Sequence, residues 1–177
     1  MKHIILIGFK HTGKSVVGQL LADQVGRDFV DLDEVVEDLN CEIGGKKLSR
    51  REIVQTHGLP RFRELEKMSL QKVMSEATEP CVLSVGGGTP LAEVNRGLIC
   101  DHEVVLVTAP RGIVFERIMV SGKPAFFSED EEPVVCFKRI WEEREPIYKS
   151  LAQCVVENNG AVENAVEKIK QELNLAL

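Results

Sequence analysis

The segment Gly8-Phe9-Lys10-His11-Thr12-Gly13-Lys14-Ser15 decides the fold of this chain. It matches the pattern G-x-x-x-x-G-K-[ST], with a short apolar run at 4–7 before it and a helical pattern at 14–25 after it. Glycines let the backbone curl so that successive N–H groups face an anion, and the N-terminus of the following helix adds positive potential. This segment, called the phosphate loop below, therefore predicts a site for a nucleoside triphosphate.

Two side chains of the phosphate loop have expected roles in binding the phosphates. Lys14 can reach the β- and γ-phosphates, and the hydroxyl of Ser15 can ligate Mg²⁺. Lys10 and His11 stand where the pattern allows any residue. The residues expected to bind the nucleotide here are Gly8, Lys10, His11, Thr12, Gly13, Lys14, Ser15 and Val16.

Outward from the phosphate loop, short apolar runs alternate with longer helical patterns. Strands are predicted at 4–7, 29–32, 81–85, 104–107 and 154–156, and helices at 14–25, 33–40, 49–56, 61–76, 111–120, 134–151 and 161–174. The runs are rich in Val, Ile and Leu without strict alternation, which is typical of strands covered on both faces. The pattern predicts an α/β fold of three layers, with helices on both faces of a five-stranded parallel sheet.

The length of 177 residues suits one domain spanning 1–177, and no repeat or flexible linker divides it. Two segments are predicted to extend from the core. One is a helical, substrate-binding excursion at about 33–76, and the other is a lid at about 121–133 that contains a Gly-Lys-Pro turn and an acidic run at 129–132.

Composition restricts the partners and the compartment that we expect. The formal net charge of -6 argues against general affinity for nucleic acid. The first apolar run is too short for a signal peptide or a membrane span. Five cysteines, odd in number and without a C-x-x-C pair, fit reduced thiols in a cytoplasmic protein. We expect a monomer with a small-molecule substrate and neither a nucleic-acid nor a membrane partner.

Two acidic residues follow the second predicted strand, in Val30-Asp31-Leu32-Asp33. In an extended segment Asp31 and Asp33 lie on the same side, facing the crevice at the carboxyl ends of the strands. One carboxylate can hold Mg²⁺ through water, and the other can orient an acceptor hydroxyl and take its proton. Asp33 could instead serve only as the N-cap of the helix that follows.

A glycine run and two arginines complete the set of candidate residues. Gly86-Gly87-Gly88 follows a buried strand, and such a run lets a backbone approach a ligand closely and offers N–H donors to hydroxyl groups. Arg63, in Phe62-Arg63-Glu64-Leu65-Glu66, and Arg144, in Arg144-Glu145-Pro146-Ile147-Tyr148, could bind a carboxylate through bidentate guanidinium contacts. Either arginine taken alone is more typical of a surface ion pair.

Taken in order, these motifs resemble the shikimate kinase family over nearly the whole chain. The resemblance rests on the phosphate loop, D-x-D, F-R-x-x-E, G-G-G, a lid and R-x-P-x-Y. It implies a P-loop kinase fold like that of nucleoside monophosphate kinases. It also implies that ATP, with Mg²⁺, phosphorylates the 3-hydroxyl of shikimate in the pathway to chorismate and the aromatic amino acids.

The resemblance further implies roles on the acceptor side. Asp33 would contact the substrate hydroxyls and act as catalytic base, while Asp31 would lie near Mg²⁺ with Ser15. Arg63 and Arg144 would bind the substrate carboxylate. The backbone of Gly86, Gly87 and Gly88 would meet the ring hydroxyls.

On the nucleotide side, the resemblance implies that Arg117 lies near the adenine and that residues 157–159 form a loop beside it. One departure concerns the lid, where Lys123 in Lys123-Pro124-Ala125-Phe126 replaces an arginine that reaches the transferring phosphate in the family. Lysine keeps the charge but lacks the bidentate fork. Lys123 is nonetheless expected to be catalytic, together with Asp33 and Lys14.

Two alternative functions remain open at the level of sequence. A kinase for another small hydroxy acid, such as gluconate, could use the same arginines and glycines. A non-catalytic ATP-binding domain would keep the phosphate loop but would not need the acceptor-side Asp33. A nucleoside monophosphate kinase is disfavoured because its acceptor phosphate and lid demand several arginines, and residues 121–133 contain none.

Overall fold

The structure, a computed structural model, describes residues 2–122, 124, 127–128 and 130–175. Within these residues one sheet of five strands is found, all parallel, in the order β2-β3-β1-β4-β5. The strands are β1 (Ile4–Ile7), β2 (Phe29–Asp31), β3 (Val82–Ser84), β4 (Glu103–Thr108) and β5 (Cys154–Glu157). Strand β1 lies between β3 and β4, so the loop after β1 opens into the crevice where strand order reverses.

Helices occupy most of the remaining described chain. They are α1 (Lys14–Val25), α2 (Leu32–Gly44), α3 (Arg50–Glu76), α4 (Glu93–Ile99), α5 (Arg111–Val120), α6 (Pro133–Leu151) and α7 (Val162–Glu172), with a 3-10 turn at Thr89–Leu91. None of the helices in the described part of the chain is both long and apolar enough to cross a bilayer.

Two apolar clusters cover the two faces of the sheet. Alternate residues of β1 divide between them, since Ile5 and Ile7 belong to one cluster and Ile4 and Leu6 to the other. All four side chains are fully buried. Burial on both faces explains why the strand sequences do not alternate between apolar and polar residues. The predicted α/β class with a five-stranded parallel sheet is confirmed.

The predicted elements differ from the structure by more than two residues in three places. The helices predicted at 49–56 and 61–76 form one element, α3, broken locally at Gly58, where φ is 82° and ψ is 162°. The helix predicted at 33–40 continues to Gly44. Helix α4 was not predicted, because it is short and only Asn95 and Ile99 in it are buried, which leaves too little periodic signal.

Helices α2 and α3 pack against each other with an apolar cluster of their own, within the predicted excursion at 33–76. The buried members of this cluster are Val36, Leu39, Leu48, Ile53, Phe62 and Leu65. The two helices therefore form a unit beside the sheet, and the residues at their facing ends line the crevice.

The start of α3 is fixed by a capping box. The Ser49 hydroxyl accepts a hydrogen bond from the Glu52 N–H, and the Glu52 carboxylate accepts one from the Ser49 N–H at 2.8 Å. The N–H of Arg50, the first residue of α3, donates to Glu37 Oε1 of α2 at 3.0 Å. These bonds satisfy N–H groups that have no partner within the helix and tie the beginning of α3 to α2.

We expect Ser49→Ala to lower the free energy of unfolding by about 1 kcal/mol, because it removes the N-cap acceptor. Urea denaturation followed by circular dichroism measures the change. Ser75→Ala is the matched control, since the Ser75 hydroxyl is exposed in the last turn of α3 and bonds only the Lys72 carbonyl at 3.1 Å. Equal losses in the two variants would show that the capping box does not stabilise α3.

Candidate active site

The phosphate loop connects β1 to α1 through glycines whose conformation other residues rarely adopt. Gly8 has φ 142° and Gly13 has φ 92°. A β-carbon on Gly8 would overlap the carbonyl oxygen of Val107, and one on Gly13 would overlap the side-chain amide of Asn158. That amide donates to the Thr12 carbonyl at 3.0 Å, so the segment after β5 supports the loop from behind.

Lys14 lies buried inside the phosphate loop. Its ammonium group donates to the carbonyl oxygens of Gly8 at 3.1 Å and Phe9 at 2.9 Å, and the Thr12 hydroxyl donates to the same Phe9 oxygen at 3.0 Å. Burial lowers the pKa of Lys14 to about 8, against the opposing influence of Asp33 and Asp31. Among the described residues its ammonium group bonds only carbonyls of the phosphate loop, so this buried cation is well placed for a polyanion.

Ser15, Asp31 and Asp33 form a connected group at the end of β2. The Ser15 hydroxyl donates to Asp31 Oδ2 at 2.6 Å, and the Asp33 N–H donates to Asp31 Oδ1 at 3.0 Å. Asp31, rather than Asp33, is therefore the N-cap of α2. The possibility that Asp33 serves only as an N-cap is wrong, because its side chain is left for other contacts.

One cavity of about 530 Å³ joins the phosphate loop to the glycine run and to both predicted arginines. The predicted site residues that line it are Lys10, His11, Gly13, Lys14, Ser15, Val16, Asp33, Arg63, Gly86, Gly87, Gly88 and Arg144. The structure thus brings together residues from five separate parts of the sequence.

Other predicted site residues lie beside this cavity rather than on its wall. Gly8 and Thr12 belong to the phosphate loop without lining the cavity, and Asp31 accepts a hydrogen bond from Ser15. Arg117 of α5 donates to the carbonyl of His11 at 3.0 Å, which places it on the outer side of the phosphate loop. Lys123 lies outside the described residues.

Arg63 is held by a buried carboxylate. It forms an ion pair with Glu66 one turn later on α3, and Glu66 also accepts a hydrogen bond from the Thr89 hydroxyl at 2.8 Å. Burial raises the pKa of Glu66, and the Arg63 charge is the largest opposing influence. A β-carbon on Gly88 would overlap the Arg63 guanidinium, so a side chain there would displace that guanidinium.

Arg144 of α6 is almost completely buried, with 8% of its surface exposed. Its guanidinium lies 5.4 Å from the centre of the Phe9 ring and shares a hydrogen bond with Tyr148. The Tyr148 hydroxyl also donates to the Gly87 carbonyl, which fixes the glycine run. Burial lowers the pKa of Arg144, and the nearby charge of Arg63 acts in the same direction.

Several residues of the site were missed in the sequence. The basic pair Arg50 and Arg51 lines the cavity together with Glu37, and Arg50 forms an ion pair with Asp33. The sequence carries one signal that could have identified this pair, because two arginines in the first turn of a helix are unfavourably placed against the helix dipole. Burial raises the pKa of Asp33, and the Arg50 guanidinium is the largest opposing influence.

The cavity is locally positive although the chain is negative. The lysines and arginines on its wall are Lys10, Lys14, Arg50, Arg51, Arg63 and Arg144, and the acids are Asp33, Glu37 and Glu66. A concave wall with this excess of positive charge favours an anionic ligand. Within the described residues no group of three or more His, Cys, Asp or Glu side chains could hold a metal ion by itself.

Comparisons with known proteins agree with this geometry. A family model described as shikimate kinase matches residues 11–174. A shikimate kinase of Thermodesulfovibrio yellowstonii is 33% identical over 174 residues, covering 97% of this chain and 95% of that protein. One of Francisella tularensis subsp. holarctica is 35% identical over 176 residues, covering 95% of this chain and 92% of that protein.

A solved structure gives the same result. The shikimate kinase from Acinetobacter baumannii in complex with shikimate aligns with a TM-score of 0.84 at 26% identity, covering 98% of this chain and 93% of that one. The resemblance inferred from the order of the motifs is confirmed by these matches. Since the family model matches most of the chain and relatives above 30% identity span nearly all of it, this chain belongs to the shikimate kinase family.

Proposed function

We propose that this chain is an ATP-dependent kinase that converts ATP and shikimate to ADP and shikimate 3-phosphate. The proposal rests on one observation: the phosphate loop, Arg63 and Arg144 line the same cavity. Asp33 lines the same cavity. A phosphoryl donor and a carboxylate-bearing acceptor could therefore be bound next to each other around one carboxylate base.

The nucleotide half of the site consists of the phosphate loop and its supports. Lys14 would exchange its bonds to the Gly8 and Phe9 carbonyls for phosphate oxygens, and the N–H groups at the start of α1 would face the same phosphates. Arg117 would lie near the adenine, a role supported by its bond to the His11 carbonyl.

Ser15 and Asp31 fit a Mg²⁺ site. Their hydroxyl and carboxylate oxygens are 2.6 Å apart at the edge of the phosphate loop, and Mg²⁺ prefers a few oxygen ligands together with waters and phosphates. When bound there, the ion would neutralise charge on the β- and γ-phosphates.

The acceptor half would bind the substrate through its carboxylate and through its ring hydroxyls. The guanidinium groups of Arg63 and Arg144 would bind the carboxylate, and the backbone of Gly86–Gly88 would meet the ring hydroxyls. The Glu66 and Tyr148 contacts would keep the two guanidinium groups in place before the substrate arrives.

Asp33 would act as the catalytic base. The acceptor hydroxyl oxygen forms a bond to the γ-phosphorus, the bond from that phosphorus to the β–γ bridging oxygen breaks, and ADP leaves with the bridging oxygen. The hydroxyl proton passes to the Asp33 carboxylate. Phosphoryl transfer of this kind depends on alignment and charge neutralisation more than on covalent catalysis.

The proposal also includes a lid, a single domain, a monomeric state and a cytoplasmic location. Residues 121–133 would close over the bound ligands, and Lys123 would bring a positive charge to the transferring phosphate. We also propose that 1–177 acts as one domain and that the protein is a cytoplasmic monomer.

ADP release with parallel acceptors tests the function directly. We expect turnover with shikimate and none above background with gluconate or a nucleoside monophosphate, measured by coupled oxidation of NADH. Turnover with gluconate alone would reject shikimate as the substrate. No turnover with any acceptor, while ATP still binds, would favour a non-catalytic ATP-binding domain.

We expect Asp33→Asn to lower kcat by 10²- to 10⁴-fold, on the order of the contribution of a general base, while ATP binding is retained. Steady-state kinetics and equilibrium binding of ATP measure the two quantities. Asp38→Asn is the matched control, because Asp38 lies on the same helix but forms an exposed ion pair with Lys47 at 3.1 Å. Nearly full turnover of the Asp33 variant would exclude it as the base.

We expect Arg63→Lys to raise KM for shikimate roughly 10-fold, the cost of losing one charge-assisted hydrogen bond, with kcat and KM for ATP nearly unchanged. The substitution keeps a positive charge beside buried Glu66 and removes only the planar fork. Arg61→Lys is the control, since Arg61 pairs with exposed Glu64. A selective rise in KM for ATP would place Arg63 on the nucleotide side.

A further inference from the structure

Arg50 connects the acceptor-side carboxylate to a second acid of the same helix. Its terminal guanidinium nitrogen pairs with Asp33 Oδ2, and its Nε lies 3.7 Å from Glu37 Oε1. Asp33 and Glu37 are four residues apart on α2 and therefore lie on one face of that helix. The result is a row of three charges, Glu37, Arg50 and Asp33, along the wall of the cavity.

The position of Arg50 is fixed from several directions. Its backbone N–H donates to the same Glu37 oxygen at 3.0 Å, and the capping box of Ser49 and Glu52 sets the backbone on either side of it. Two arginines in the first turn oppose the helix dipole, which makes this an unfavourable place for them on local grounds. The acids of α2 offset that cost, so the arrangement serves the contact between the two helices.

The contact uses one oxygen of Asp33 and leaves the other facing the glycine run. Arg50 binds Oδ2, whereas Oδ1 lies 3.1 Å from the point where a β-carbon of Gly86 would stand. A carboxylate has lone pairs on both oxygens and can accept hydrogen bonds at each. Arg50 can therefore remain bound while a hydroxyl approaches the other oxygen.

We propose that Arg50, held by Glu37, is a positioning residue that orients the Asp33 carboxylate toward the acceptor hydroxyl. The inference rests on the proposed function, in which Asp33 receives the acceptor proton. Charged groups from several elements surround Asp33, and an unrestrained carboxylate could turn toward any of the cations among them. The cations are Lys10 and Lys14 of the phosphate loop and Arg50 of α3, and the acids are Asp31 of β2, Glu37 of α2 and Glu66 of α3.

Steady-state kinetics of Arg50→Gln test the role. We expect kcat with shikimate to fall on the order of 10- to 100-fold, the cost of misaligning a reacting group, while KM for shikimate and for ATP changes little. Arg50→Lys should recover part of the loss, because it restores the charge without the fork. Arg61→Gln, which removes a surface arginine from the same helix, is the control and should match the unmodified protein.

Glu37→Gln tests whether Glu37 acts through Arg50. We expect it to lower kcat less than Arg50→Gln does, and to cause no further loss when both substitutions are combined. If the two single-variant losses in kcat multiplied in the double variant, Glu37 and Arg50 would act independently. That result would contradict the proposed chain of contacts. The concentration of folded enzyme, obtained by ATP titration, corrects each kcat, so that a loss of stability alone is not counted as a loss of alignment.

Two results would overturn the inference. Arg50→Gln with an unchanged kcat and a lower KM for shikimate would mean that Arg50 competes with the acceptor for Asp33. A structural role alone would appear as equal losses of total activity in Arg50→Gln and Arg50→Lys. In that case kcat corrected for the concentration of folded enzyme would be unchanged in both variants. Failure of the proposed function is a separate result, because the unmodified protein would then show no turnover with shikimate. Failure of this inference leaves that turnover intact and changes only the response to the Arg50 substitutions.

Discussion

The site depends on the close contact between two glycine segments that leave adjacent strands. Strands β1 and β3 are paired in parallel, so the phosphate loop and Gly86–Gly88 emerge side by side. A β-carbon on Gly87 would lie 3.2 Å from the Gly8 carbonyl oxygen, and the Gly87 carbonyl accepts a hydrogen bond from the Tyr148 hydroxyl. A β-carbon on Gly87 would therefore force the two segments, both of which line the cavity, to shift slightly apart.

Ion pairs with neighbouring charged groups hold two of the proposed site residues. Arg63 pairs with buried Glu66 one turn along α3, and Asp33 pairs with Arg50 of the neighbouring helix, whereas Arg144 contacts the Phe9 ring and Tyr148. Leaving either acid without its partner would be costly, because burial raises the pKa of both carboxyl groups, although only Glu66 is fully buried. The ion pairs therefore set the geometry of these side chains before a ligand binds.

The negative net charge of the chain and the positive cavity are compatible because the electrostatic field in a crevice is set by its own walls. Lysines and arginines from the phosphate loop, α3 and α6 all point into one concave space. Surface acids, such as Asp38 and Glu64, face solvent, where they are screened and have little effect on a ligand in the crevice. The total charge argues against general affinity for nucleic acid, but it carries no information about an anionic small molecule bound in the crevice.

By itself, the sequence determined the phosphate loop, the parallel sheet and most helix positions, because these follow from local patterns: glycine spacing, apolar runs and helical periodicity. It also marked Asp33, Arg63 and Arg144 as candidates, without showing that they line one cavity. Only the tertiary structure assigned the N-cap to Asp31 and paired Arg50 with Asp33. Those contacts depend on how α2 packs against α3, and packing between distant segments leaves no periodic signal in the chain.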